Sequence, residues 1–438
     1  MGDTDEGCER ARGLVAAGDV PGVVRYLRAD GGTLPVGEVA GLVAGLARLT
    51  GCGDLERAAV AAADGGAEDA QALYDFGFAC LDQGLAFLAV RPLERALELA
   101  PGAPAVLGEL VDALEEDGQH VRAVAVLGEH EPLTVWMHRF QYVYNALMAG
   151  RLDKAADGFR RLPVPEDERW VSAREKVRRM LARADVAGGV TPLDGRDLRG
   201  WHYVLTGGVL ADLSPYGFDT GMTGRYCFLG DSGGGCAAAL RRLGLVLGAA
   251  GAVPECVAVL PDRSSRILGL AAAAVLGLPA TDFSPGRPAA RSLVVAYDLN
   301  AAGPDAVAGL RRRAPGQVLF ERATCWTDPP RVAADVSGLL GEHVLAPWDG
   351  QWQRLDDGNV GPGPADDRPA EVLAAELAGT APEQDEGDGS APTDPDDGLR
   401  RFARAVADAG ARERDGGWLG GIREWVANAG PVTSSRFV

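Results

Sequence analysis

Two short stretches of the chain hold residue types able to bind a small ligand. Asp262, Arg263, Ser264 and Ser265 follow one another directly after the apolar run Cys256–Leu260. A guanidinium beside two hydroxyls can hold an anion. Asp298 and Asn300 lie just beyond a second apolar run that begins at Ser292. Together with Arg263 they suit a neutral or singly charged ligand. The same residues also have ordinary roles open to them. Asp298 and Asn300 can close a loop turn, Arg263 can form a surface ion pair, and Asp305 can cap a helix.

Composition excludes other chemistry. Lys154 and Lys176 are the only lysines, so the C-terminal half holds neither a Gly-Lys-Ser/Thr phosphate loop nor a Schiff-base lysine. Cysteines at 8, 52, 80, 227, 236, 256 and 325 are scattered without a C-x-x-C pair, which predicts reduced thiols and a cytoplasmic protein. The 5 histidines lack metal-type spacing, so no metal is expected; His202 and His343 read as hydrogen-bonded structural residues. A net charge of −19 argues against nucleic acid as a partner. The opening residues are acidic and polar, unlike a secretory leader, and the uncharged stretch 267–281 is too short to cross a membrane.

The elements that must position the two stretches alternate in type. Tyr203–Thr206 with Gly208–Leu210 reads as a strand or hairpin, and Gly233–Gly251 as a helix rich in small residues. Strands are expected at Cys256–Leu260, Ser292–Asp298 and Gln317–Glu321, with helices ending near Leu276 and Arg313 between them. Continuous apolar strands alternating with helices predict a parallel sheet covered on both faces. Ligands of such sheets sit beyond the carboxyl ends of the strands, where both stretches fall. Ser214–Arg225 is a polar, aromatic loop, either a hood over that end or a plain connection. Gly230-Asp231-Ser232-Gly233-Gly234 looks like the nucleophile segment of trypsin-like proteases, but the α/β setting makes it a loop before a helix.

VAVLPDRSSRILGLAAAAVLGLP and LVVAYDLNAAGPDAVAGL together resemble the core of a type I phosphoribosyltransferase, over roughly residues 200–345. The resemblance implies a pyrophosphate loop at Asp262–Ser265 and a ribose-phosphate loop at Tyr297–Asp305. Within the second loop Asp298, Ala301 and Gly303 match the family pattern. Tyr297 stands for an acid, Ala302 for a threonine, Pro304 for a glycine and Asp305 for a threonine. Pro304 removes an amide donor, and Asp305 puts a carboxylate where a phosphate would sit. The resemblance therefore implies the architecture with its chemistry lost; magnesium would matter only if transferase activity persisted.

Residues 5–186 read as helix pairs. Leu73, Phe76, Gly77, Cys80, Ala89, Leu93, Ala96 and Pro101 mark one unit. A shift of 34 residues finds Leu107, Val111, Leu114, Gly118, Ala123, Leu127 and Pro132. Further copies run through Val143–Phe159, and weaker ones through Leu46–Gly53–Ala62 and Leu14–Gly18–Val24. The pattern resembles the tetratricopeptide repeat, with Asp167–Ala187 as a polar capping helix. The resemblance implies a groove for a protein or peptide, with Trp136, Arg139 and Tyr142 as partner-binding candidates.

The expected fold is thus a helical solenoid followed by an α/β domain and a C-terminal helix. Its boundaries are 1–190 for the repeats and 195–350 for the phosphoribosyltransferase-like domain. An acidic, Pro/Gly-rich stretch at 356–398 is expected to be a disordered linker carrying only a short helix at Ala370–Ala378. Residues 399–428 are expected to be helical, with Leu399, Phe402, Val406, Ile422, Trp425 and Val426 docking on a folded unit. Three functions fit this organisation: a protein–protein adaptor with an inactive α/β domain and no cofactor, an active transferase or hydrolase on a phosphoribosyl or nucleotide-like ligand, and a metabolite sensor without turnover.

Overall fold

The computed structural model describes residues 2–65, 68–355, 358–383, 385–391, 394–410, 418–426 and 430–434, the side chains of 2–6 excepted. The chain divides into two compact units, Met1–Glu175 and Lys176–Phe437, so the division falls some 15 residues before the expected boundary at 190.

The first unit is all helical. Its helices pair as α1 (Gly2–Ala16) with α2 (Val20–Asp30), α3 (Val36–Thr50) with α4 (Gly53–Gly65), α5 (Ala70–Asp82) with α6 (Ala86–Leu99), α7 (Pro104–Glu116) with α8 (His120–Glu129), and α9 (Trp136–Met148) with α10 (Leu152–Arg161). One turn is used five times. Gly18, Gly51, Gly84, Gly118 and Gly150 all adopt φ between 69° and 74°. After each glycine the next amide donates back across the helix end, as Leu85 N does to Cys80 O at 2.9 Å and Arg151 N to Ala146 O at 2.8 Å. A left-handed residue followed by this bond is the glycine stop of a helix, which a side chain would strain. In the second pair the turn glycine is Gly51; Gly53, expected there from the sequence, opens α4. Small residues then set the helix spacing. A Cβ at Gly77 would lie 2.5 Å from Leu93 Cγ, and Ala89 and Ala96 are fully buried beside it.

The second unit contains α11 (Val171–Gly188) from Lys176 onward, then α12 (Leu198–Thr206), β1 (Val209–Leu210), β2 (Tyr226–Gly230), α13 (Gly233–Ala250), β3 (Cys256–Val259), α14 (Arg263–Leu276), β4 (Ala280–Asp282), β5 (Ser292–Ala296), α15 (Pro304–Arg311), β6 (Val318–Thr324) and β7 (Val336–Leu345). The sheet order is β1-β7-β6-β5-β3-β4, with β2 paired further along β7, and every pairing is parallel. β5 is buried along its whole length, as a strand covered on both faces must be.

Three sequence expectations need correction. Tyr203–Thr206 is the end of α12, not a strand: Asp197 caps the helix through Gly200 N at 2.9 Å and Gly207 closes it at φ 80°. β7 is absent from the sequence reading because Gly338 and Gly341 interrupt its apolar run; Gly338 lies against the Arg322 carbonyl of β6, where a side chain has no room. The expected linker is folded in its described residues. It carries β9 (Val360–Pro362), paired antiparallel with β8 (Trp352–Arg354) just before it, α16 (Ala370–Ala378), and the start of α17 (Asp396–Gly410). What holds its last third is ion pairing rather than apolar burial, so hydropathy does not register it.

The C-terminal expectation also changes. Leu399, Phe402 and Val406 of α17 are buried, but 418–426 is not helical. There Ile422 and Trp425 point outward, 60% and 42% exposed, and Arg423 is the residue that docks. Its guanidinium donates to Asp335 at 2.9 and 3.2 Å and to Leu310 O at 2.8 Å. Residues 411–417 and 427–428 of the expected helix lie outside the described residues.

The close approach at Gly77 gives a first test. Gly77→Ala should destabilise the chain by roughly 1–3 kcal/mol through overpacking against Leu93. In the Gly77→Ala/Leu93→Ala double variant, the loss measured by thermal unfolding should be smaller than the sum of the two singles.

Candidate functional site

The two stretches picked out by sequence do meet at the carboxyl ends of β3 and β5, and each of their groups has an internal role. Asp262 is the N-cap of α14 and accepts from Ser265 N at 2.9 Å. The Ser265 hydroxyl, fully buried, accepts from Tyr297 N at 2.9 Å and so joins the two loops. The Ser264 hydroxyl accepts from Trp348 Nε1 at 2.8 Å and lies 3.4 Å from Asp349 Oδ2. Arg263 reaches away from the loops, donating to the carbonyls of Asp366 and Arg368. Asp298 Oδ1 accepts from Asn300 N at 2.8 Å, a loop-closing turn, and Asn300 Nδ2 donates to Asp328 O at 2.7 Å. Gly303 is the N-cap of α15, with Pro304 in its first turn beside Asp305. Burial raises the Asp298 carboxyl pKa, and neighbouring Asp262 and Asp328 raise it further.

Tyr297, expected to stand for a ribose-binding acid, belongs to a different assembly. Its hydroxyl donates to Asp231 Oδ2 at 2.9 Å. Arg322 grips the same carboxylate in a fork, Nη2 to Oδ1 at 2.9 Å and Nε to Oδ2 at 3.1 Å. Cys236 Sγ adds a third donor at 3.2 Å. The Asp231 and Arg322 side chains are 2% and 4% exposed. Burial drives the Cys236 and Tyr297 pKa values well above their usual ranges and the nearby Asp231 carboxylate adds to this, so both groups keep their protons.

Glu321 precedes Arg322 on β6, and successive strand residues face opposite sides of a sheet. Glu321 accordingly serves the β5 loop: it accepts from Leu299 N at 2.8 Å and from the Thr324 hydroxyl at 2.5 Å. Burial pushes its pKa up to about 8, against those two bonds. The sequence reading ended this strand at Glu321 and assigned neither charge a role. Adjacent opposite charges inside Val-Leu-Phe-Glu-Arg-Ala-Thr were the available signal, since buried charges persist only with partners.

Beside this assembly lies a cavity of about 1230 Å³, between the end of β2, the start of α13 and the segment 382–397. Arg225, Arg241, Arg242 and Arg322 line it, with Tyr216, Tyr226 and Phe228. The acidic segment supplies the opposite wall. Asp394 is held between Arg199, Nη1 to Oδ1 at 3.0 Å, and Arg242, Nη2 to Oδ2 at 2.6 Å. Asp396 pairs with Arg241, and Asp385 accepts from Tyr226 OH at 2.8 Å. Glu383 sits over the glycines that open α13, accepting from the Ser232 hydroxyl at 2.8 Å. Arg225 is 1% exposed. Nη2 donates to Val432 O at 3.0 Å, and Nε and Nη1 have no partner among the described residues. Burial lowers its pKa to about 10 and that of neighbouring His202 to about 4, so this histidine is neutral. Among the described residues His202 Nε2 has no hydrogen-bond partner, contrary to the sequence expectation.

In the helical unit, Arg139 and Tyr142 line a cleft of about 350 Å³ with Glu131, Pro132 and Arg161. Trp136 is not part of that cleft. It stacks on Phe140 at 5.4 Å and donates to Pro163 O at 3.0 Å. A second polar cluster went unnoticed in the sequence. His120 Nδ1 lies 2.7 Å from Asn145 Oδ1, whose amide donates to Glu115 at 2.9 Å; burial raises the Glu115 carboxyl to about 7.

Among the described residues no group of three His, Cys, Asp or Glu side chains is placed to hold a metal ion, and no helix is long and apolar enough to cross a membrane. All seven cysteines are free thiols.

Glu321 makes the stability of the fold depend on pH. Its pKa is raised above the usual 4.5, so between pH 4.5 and 8 the folded chain keeps a proton that the unfolded chain releases. Stability from this group is complete below pH 4.5 and falls as pH rises through 8. Glu321→Gln retains the acceptor for Leu299 N without the charge. It should flatten the decline and stabilise the chain at pH 8 by on the order of 1–3 kcal/mol, read from denaturant midpoints across that range.

No protein-family model matches this chain, and no curated protein matches it.

Proposed function

We propose that the chain is a cytoplasmic interaction adaptor. Its helix pairs act as a tetratricopeptide-type solenoid for a protein or peptide, and its phosphoribosyltransferase-like α/β unit carries out no turnover and uses no cofactor. The observation that carries the second half of this reading is the internal bonding of the β3 and β5 loops. Ser265 is spent on Tyr297 N, Arg263 on two carbonyls, and Asn300 on Asp328 O. Tyr297 and Arg322 are both committed to Asp231. A ribose-phosphate would have to break these bonds, at roughly 1–3 kcal/mol for each buried group left unpaired. The repeated glycine turn and the Arg139–Tyr142 cleft support the first half. A sensor without turnover is the second reading, favoured by the arginine-lined cavity.

Two measurements test the proposal. Full-length protein with phosphoribosyl pyrophosphate, magnesium and a set of nucleobases should release no pyrophosphate; release with any base would establish a transferase. Arg139→Glu/Tyr142→Ala should lose a captured protein partner that wild type retains, with an unchanged melting temperature. Equal capture by both would remove the cleft from the reading.

A further inference from the structure

The arginines around the large cavity are too deeply buried to be ordinary surface charges. Arg199, Arg225, Arg242 and Arg322 are all less than 8% exposed. Removing a guanidinium from water costs several kcal/mol unless it is paired. Arg322 has Asp231 as its partner. Arg199 and Arg242 share one carboxylate, Asp394, although Arg242 also lies 2.9 Å from Asp212. Arg225, which lines the cavity, has no carboxylate partner among the described residues; its guanidinium lies 5.5 Å from the centre of the Trp326 ring, and its Nε and Nη1 make no hydrogen bond there.

The placement of the acidic segment is equally specific. Asp394 occupies a two-arginine fork of the kind that holds a carboxylate or phosphate. Glu383 occupies the first turn of an 18-residue helix that opens with three glycines, where backbone amides and the helix dipole favour an anion. A side chain at Gly234 would collide with Glu383. Six carboxylates of the segment line the cavity. Without them the four lining arginines would face only Asp212 and Asp231, and the cleft would carry a net positive charge.

We infer that this cleft is a binding site for a small polyanion carrying clustered phosphate groups, and that the segment 383–397 is its built-in surrogate. Asp394 and Glu383 hold the two places that anionic groups of the ligand take, and Arg225 supplies donors that the surrogate leaves unused. Tyr216 and Phe228, 45% and 58% exposed, offer ring faces to any organic part of the ligand. The ligand enters by displacing the segment. The inference rests on the sensor reading and is independent of the solenoid.

The test uses the full chain and inorganic pyrophosphate as probe, at low salt. Glu383→Gln/Asp394→Asn should bind pyrophosphate at least about tenfold more tightly than wild type in calorimetry, because the competing charges are gone. Adding Arg225→Gln to that double variant should reverse most of the gain. Citrate should bind the double variant more weakly than pyrophosphate; tighter citrate binding would overturn the phosphate assignment. A second arm needs no variant. In wild type the amides of Gly217 and Phe218 donate to Asp388 and Ser390 of the segment. Saturating pyrophosphate should speed their hydrogen exchange as the segment leaves. Unchanged exchange, or an affinity indifferent to Glu383, Asp394 and Arg225, would overturn the inference. Indifferent binding would instead place the probe on the Asp262–Ser265 loop, the outcome expected of a transferase.

Discussion

The ion pair between Asp231 and Arg322 is the constraint around which the α/β unit is arranged. Asp231 follows β2 at the mouth of α13, and Arg322 lies inside β6, so one salt bridge fixes two distant stretches of chain at the same end of the sheet. Tyr297 brings the end of β5 to the same carboxylate, and Cys236 brings the first turn of α13. Removing one member of so buried a pair typically costs about 3–5 kcal/mol, because the other is left charged and unpaired. The β5 loop is consequently built for support: Tyr297 is a strut to Asp231.

Arginine does most of the electrostatic work elsewhere in the unit. Lys176 is the only lysine in it. Planar guanidiniums form directed forks with carboxylates, which a lysine ammonium cannot do. Arg423 ties the C-terminal stretch to Asp335, and Arg313 reaches the same carboxylate at 2.7 Å. Arg199, Arg241 and Arg242 bind the acidic segment. A stretch that composition marks as disordered is thereby ordered by charge pairing with residues about 150 to 195 positions earlier.

The helical unit works by another rule. Its architecture comes from one local device, the left-handed glycine that ends the first helix of each pair, used at intervals of 33, 33, 34 and 32 residues. Small residues at the packing positions then let each pair close. A polar cluster of buried His120 and Asn145 with half-buried Glu115 lies between successive pairs, where it fixes register rather than supplying the bulk of the core.

What the sequence alone determined were features carried by local chemistry. Glycine stops with helical periodicity gave the helix pairs, and uninterrupted apolar runs gave β3, β5 and the start of β6. Asp298 and Asn300 gave their turn. The charge balance and the presence of only two lysines narrow the chemistry by composition alone. Tertiary structure alone decided which polar groups were already taken. Ser265, Arg263 and Asn300 have the right types and spacing for a ligand, but partners 32, 103 and 28 residues away occupy them. It also placed β2 and β7, whose short or glycine-broken runs acquire strand character only by pairing, and it ordered the acidic segment against arginines distant in sequence. Backbone preference and side-chain periodicity act over a few residues and can be read directly. Hydrogen-bond and charge satisfaction depends on which distant groups the fold brings within about 3 Å, and no local pattern encodes that.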